Sequence, residues 1–321
     1  MVRLLSNLRY DAEIFWLTKS LALLKISKGI PREIIELLHM GATISVANKD
    51  VVVSLRDWQI SIPIEMAATV GTIATLIHAG VDFRYEDGQL IAYLPSYNGL
   101  RMELGCESIA SNLVAINERF VRKEFSILNV RNRTVIDVGA NIGDSILWFL
   151  ANGAAYVVGF EPFVPTFKQA EKNIQLNDLT SQVTLVNAGV GANNANLVFD
   201  YCPQRSMGMS TNSWVKDTLP GLPVRKESVS IISFQNAMLD HVPKSLRSRE
   251  MVLKMDCEGC EFEIFTNPRI EEQMASFHEV LIEYHYKAPE SILRHLRNCG
   301  FNVKTLHETN NGVGLIHGTK R

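Results

Sequence analysis

The sequence predicts an α/β chain in which a mostly parallel sheet with crossover helices occupies residues 131–321 and a smaller α+β unit occupies residues 1–130. Three observations carry this. From Thr134 onward, apolar runs of strand length (VIDV, YVVGFEP, VTLVNAGV) alternate with helical segments, the pattern of parallel strands joined by helices. The first run leads into a helix through a glycine-bearing corner, DVGANIG. The chain closes with two strand-like runs flanking Asn310-Asn311-Gly312, a hairpin signal, so the sheet is expected to finish on an antiparallel strand.

In order, residues 8–26 read as an amphipathic helix, broken by Asp11, Glu13, Lys19 and Lys25 and so neither a spanning segment nor a signal peptide. Residues 42–65 alternate in strand fashion (ATISVANKDVVVSL, WQISIPI) around a turn at Asn48-Lys49-Asp50. A helix over Ala67–Ala79 precedes two more strands turning at Asp87-Gly88, then LRMEL. Ser108–Phe125 reads as a helix whose arginines and lysine form a solvated face, and the boundary falls near residue 130. Beyond YVVGFEP comes a helix over Pro165–Asn177. Residues 192–250 are less regular, with a polar loop near 202–214 expected to cover a substrate. MVLKMD, EVLIEYHY and a helix over Pro289–Asn298 restore the α/β rhythm before the closing hairpin.

Composition narrows the function. A formal charge of −2 over 321 residues gives no general drive toward nucleic acid or anionic membrane. Five cysteines, odd in number and scattered, suit a reducing cytoplasm better than a secreted disulfide scaffold.

The chemistry gathers at strand ends. In the corner Asp137-Val138-Gly139-Ala140-Asn141-Ile142-Gly143, glycine lets the backbone approach a ligand. The G-x-x-x-G spacing lacks the middle glycine that a pyrophosphate uses, so a ligand without a diphosphate fits better. S-adenosylmethionine has none, and its ammonium would lie near Asp137. Glu161 ends the second strand, where a carboxylate can accept both ribose hydroxyls, although a dinucleotide site would place an acid there too. Asn187-Ala188 end the third and are expected to edge an adenine. Asp256 and Glu258 end the fourth and are candidate bases or ammonium partners. Glu283 and His285, two apart on one strand, face the same side, where a carboxylate can raise the basicity of an imidazole. Cys257 and Cys260 have C-x-x-C spacing without a second ligand pair, so they read as small buried residues and no metal is expected.

These blocks, VIDVGANIGDS, FEPFVPTFKQAEKNIQLN, LKMDCEGCEFEIF and IEYH, resemble in order and spacing the FkbM family of S-adenosylmethionine-dependent methyltransferases. The resemblance spans about residues 130–290. It implies a class I methyltransferase (Rossmann-like) fold with a mostly parallel seven-stranded sheet, S-adenosyl-L-methionine as cofactor, and O-methylation of a small-molecule, glycan or lipid-linked acceptor. By that match Asp137, Gly139, Gly143 and Glu161 take cofactor positions, Asp256, Glu258 and Gly259 form a D-x-E-G motif, and Glu283 and His285 an E-x-H-like pair. Rival readings are an RNA methyltransferase guided by Arg119, Arg122, Lys123, Arg131 and Arg133, a non-catalytic binding protein that keeps the fold, and an NAD-dependent dehydrogenase.

Overall fold

The structure, a computed structural model, describes residues 32–105, 108–203, 224–247, 250–267, 269–285, 288–309 and 312–320. The expected helix over 8–26, most of the loop near 202–214, and Asn310 and Asn311 lie outside these residues.

The first unit opens with α1 (Arg32–His39) and a three-stranded meander, β1 (Thr43–Ala47), β2 (Asp50–Leu55) and β3 (Trp58–Pro63). Asn48 and Lys49 make its first turn with positive φ, as the sequence predicts. After a 3-10 turn (Ile64–Thr69), α2 (Val70–His78) leads to a second meander: β4 (Asp82–Glu86), β5 (Gln89–Leu94) and β6 (Leu100–Glu103). The expected helix over 67–79 is therefore 3-10 in its first residues. β6 is an edge strand, and edge strands leave backbone groups unpaired. Here side chains from a later helix take them: Asn173 Oδ1 accepts from Glu103 N and Asn177 Oδ1 from Arg101 N, both at 2.8 Å.

Ser108 caps α3 (Ile109–Ile116) by accepting from Ser111 N, and a π turn (Asn117–Val121) continues it. This corrects the reading of a solvated basic face: Arg122 and Lys123 are exposed, but Arg119 is 7% exposed and points inward. Leu113, Ile116 and Phe120 are buried on the face that this segment turns inward, and Arg119 is buried beside Phe120.

The main sheet has seven strands in the order β15-β16-β14-β13-β7-β8-β9. They are β7 (Thr134–Val138), β8 (Tyr156–Phe160), β9 (Val183–Val186), β13 (Met251–Met255), β14 (Phe277–Tyr284), β15 (Asn302–Glu308) and β16 (Gly314–Thr319). β9, β8, β7, β13 and β14 pair in parallel, and β16 runs antiparallel between β14 and β15. The mostly parallel sheet with a closing antiparallel hairpin is thus as the sequence predicts, and it is the class I methyltransferase topology. α4 (Asp144–Ala151), α5 (Val164–Leu176), α6 (Cys260–Phe265) and α7 (Glu290–Asn298) flank it. The chain order reverses between β7 and β13, and α/β sheets bind ligands at such a switch point, beyond the carboxyl ends of the strands.

One run departs from expectation. VTLVNAGV is not one strand: β9 stops at Val186, and Gly189–Gly191 forms β10, which pairs in parallel with β12 (Arg225–Ser233). β12 also pairs antiparallel with β11 (Ala195–Tyr201), giving a small three-stranded sheet beside the carboxyl edge of the main one. No described helix is long and apolar enough to cross a membrane.

Candidate functional site

The corner after β7 sits between the ends of two neighbouring strands. Gly139 N and Ala140 N donate to Phe160 O, and Asp256 N donates to Val138 O. Gly139 has φ 84°, and a Cβ there would overlap the carbonyl oxygen of Asp256. Glycine is therefore required twice, for conformation and for closeness. The corner borders a cavity of about 230 Å³ at the carboxyl ends of the strands, whose wall includes Gly139, Asn141, Glu161, Lys254, Asp256 and Glu258.

Two buried cations and their acids organise this cavity. Lys254 stands opposite Asp137 in the β7–β13 register, and its Nζ lies 3.2 Å from Asp137 Oδ1. It donates to Gly139 O at 2.7 Å, so the lysine ties the glycine corner to β13. Burial opposes the Lys254 charge, yet Asp137 and Asp256 hold its pKa above the ordinary value. Asp137 is fully buried, accepts from Ser145 Oγ, and has its carboxyl pushed upward by burial against the pull of Lys254. Arg119 forms the second centre. Its Nε donates to Asp144 Oδ2 at 3.1 Å, its Nη1 to Glu124 Oε2 at 2.5 Å, and its guanidinium lies 4.4 Å from the centre of the Phe125 ring.

Glu161 is buried, and its carboxylate accepts from Asn141 N (2.8 Å), Phe163 N (3.0 Å) and Thr166 Oγ1 (2.7 Å). Burial pushes its pKa up to about 7 against these hydrogen bonds. Oε1 thus takes two protein donors and Oε2 one, so accepting two further hydroxyls, as the sequence reading asked of it, would crowd Oε1.

The other cluster surrounds His285. Its Nε2 lies 3.5 Å from Glu258 Oε2, 3.6 Å from Glu283 Oε1 and 4.0 Å from Asp256 Oδ1, while Nδ1 lies 3.1 Å from Glu261 Oε1. Burial opposes its protonation, but the Glu261 hydrogen bond and the charges of Glu258 and Asp256 raise its pKa to about 9. Asp256 above all, then burial, pushes Glu283 up to about 8. At neutral pH His285 is a buried imidazolium, which removes it as a base; Asp256, Glu258 and Glu283 keep some solvent exposure.

Several predicted residues stand elsewhere. Asp137 does not reach the cavity, because Ser145 and Lys254 enclose it. Asn187 donates to Glu161 O and Pro162 O, and neither it nor Ala188 lines the cavity; Gly189, Val190 and Gly191 do, because β10 turns away from β9 there. Gly143 caps α4 with φ 81°. Cys257 and Cys260 are half-buried and joined by a disulfide, not reduced residues packed in the core. Glu258 and Gly259 between them both take positive φ, bringing the two Cα atoms within 5.6 Å. Asp256, Glu258 and His285 each offer an atom within 4.8 Å of the others, as do Cys257, Cys260 and Glu261, and the disulfide takes the second set out of metal chemistry.

Three residues escaped the sequence reading. Glu261 is fully buried and accepts from His285 N and Gly259 N. It, not Glu283, orients the imidazole. Its signal was an acid one and three residues before the apolar Phe262 and Ile264, although Glu263 between them blurs it. Lys254 was legible as the charge inside the buried run MVLKM. Arg119 was hidden among neighbouring basic residues.

The profile of the Methyltransferase FkbM domain matches residues 137–303, over half of the chain. This chain belongs to that family. Among solved structures, the FkbM methyltransferase of Methylobacillus flagellatus KT is 12% identical, with a TM-score of 0.41 over 79% of this chain and 60% of that one. TrmK of M. capricolum, in complex with S-adenosyl-homocysteine, is 12% identical with a TM-score of 0.37, over 63% of this chain and 68% of that one. The precorrin-6y C5,15-methyltransferase of Geobacter metallireducens GS-15 is also 12% identical, with a TM-score of 0.36, over 62% and 87%. No curated protein matches the chain. In the FkbM domain seen here, the matched span holds the corner, Glu161, Lys254 and the whole His285 cluster, whereas Arg119 precedes it.

Proposed function

We propose that this FkbM-family protein uses S-adenosyl-L-methionine to methylate a hydroxyl oxygen on a small-molecule, glycan or lipid-linked acceptor. One observation carries the reading: the cavity wall holds five carboxyl groups (Asp144, Glu161, Asp256, Glu258, Glu263) and two cations, Arg119 and Lys254, that are already ion-paired. Such a wall favours a net cationic ligand and opposes a pyrophosphate, which separates the sulfonium cofactor from NAD. The buried Asn141 Oδ1, without a hydrogen-bond partner, is an acceptor left for a ligand donor. Glu161 Oε2, with one site open, would take a ribose hydroxyl, and Phe163, Leu197, Phe199 and Ile231 supply the apolar wall for an adenine.

When bound, the cofactor supplies an already activated methyl group, so the protein must align the acceptor and take its proton. Asp256 lines the cavity and is the group we assign to receive that proton. An alcohol proton becomes strongly acidic only as its oxygen forms a third bond, to the incoming methyl carbon, and takes on oxonium character, so a carboxylate is basic enough. His285, held charged by Glu261, steadies Asp256 and Glu258. Calorimetry with S-adenosylhomocysteine and with NAD tests the reading. Binding of the first and not the second is expected; the reverse would overturn it.

A further inference from the structure

We propose that Arg119, which the residues before the FkbM domain contribute, binds the α-carboxylate of the methyl donor's methionyl group. The inference rests on the cofactor reading above and adds a residue to it.

A donor with an amino-acid tail brings a carboxylate into a wall of five carboxyl groups, so that anion needs a cation with donors to spare. Two cations line the cavity among the described residues. Lys254 is committed: its Nζ has three N–H bonds and faces Gly139 O at 2.7 Å, Asp137 Oδ1 at 3.2 Å and Val138 O at 3.5 Å. Arg119 has five, and the structure shows two in hydrogen bonds, to Asp144 and Glu124. Glu118 lies 3.8 Å from Nη2, beyond hydrogen-bond reach, and burial pushes its carboxyl up to about 7, which weakens it as a competitor. The Nη1/Nη2 edge therefore keeps N–H groups in the planar spacing that suits a carboxylate. The Phe125 ring under the guanidinium and the hydrogen bonds to Asp144 and Glu124 fix its plane in advance. Asp144 and Asp256 on the same wall are then placed for the adjacent ammonium.

Isothermal titration of the full chain with S-adenosylmethionine and with decarboxylated S-adenosylmethionine isolates the carboxylate. Wild type is expected to bind the intact cofactor about 10- to 100-fold more tightly, the range for charge-assisted hydrogen bonds. Arg119→Ala should bring that ratio to about one by weakening the intact cofactor alone, and Arg119→Lys, which keeps the charge and eases folding, should leave it between the two. Equal affinity of wild type for both ligands overturns the proposal without recourse to any variant. So does a variant that weakens both ligands alike. If wild type binds neither ligand, the cofactor reading itself fails and takes this inference with it.

Discussion

The imidazole of His285 touches four carboxyl groups, and two consequences follow at the scale of single residues. The first concerns the proton. With His285 charged up to about pH 9, a carboxylate has to take the proton, and Asp256 on the cavity wall is the one we assign. Asp256→Asn should lower turnover by about 10²- to 10⁴-fold, the usual worth of a positioned base, while the affinity for S-adenosylhomocysteine changes far less. Single-turnover rates beside calorimetry check this, and full turnover would remove Asp256 from the role. The second concerns stability. A histidine whose folded pKa is raised from 6.5 to about 9 contributes stability that is complete below pH 6.5 and lost as pH rises through 9. The urea midpoint of wild type should therefore fall between pH 6.5 and 9 more than that of His285→Asn. Equal falls in the two proteins would show that Glu261 and its neighbours do not hold the imidazole charged.

At the scale of elements, the last strand is fastened to the segment that enters the sheet by one buried acid. Glu279 on β14 accepts from Arg133 Nη1 (3.1 Å) and Asn129 N (3.0 Å) with Oε2, and lies 2.9 Å from His317 Nε2 on β16 through Oε1. Removing one partner of a buried ion pair leaves the other uncompensated, so Glu279→Ala should cost about 3 kcal/mol in a urea unfolding series. A cost below about 1 kcal/mol, the range of exposed pairs, would make the contact a surface one. The strands themselves were readable: period-two runs, Asp87-Gly88 and the apolar cores of β7, β8 and β13 all mark their places. What was not readable is which sheet a strand joins. Gly189–Gly191 follows β9 after only Asn187 and Ala188, and nothing in those two residues says that the chain leaves β9's sheet there to pair with β12. Arg119 was obscured for a similar reason, since a basic residue on a helix reads as solvated until the turn that rotates it inward is known. The Asp137–Lys254 pair is a matter of register, and a single strand carries no record of its neighbour.

Across the whole molecule, the two units share one core. A continuous buried cluster runs from Ile34 on α1 through β2, β3 and α3 to Leu147 and Phe149 on α4 and Leu281 on β14. Phe125, ahead of the sheet, stacks on Phe149 with ring centres 5.2 Å apart and meets Trp148 edge-on at 5.8 Å. Asn173 on α5 and Asn177 at its C-terminal end bond to β6 as a neighbouring strand would, and Arg119 crosses to Asp144 at the start of α4. A boundary near residue 130 marks a change of pattern, but few apolar surfaces are complete on either side of it. We therefore expect the full chain to unfold in one transition, with far-UV circular dichroism and tryptophan fluorescence giving coincident midpoints. A chain beginning at residue 131 should bind a hydrophobic dye and be cleaved quickly by protease, because α4 would present Trp148 and Phe149 to water. Two separated transitions in the full chain, or a protease-resistant fragment that starts near residue 131, would show instead that the main sheet is stable without the first unit. In that case loss of the first unit should still weaken the intact cofactor relative to its decarboxylated form, since Arg119 leaves with it.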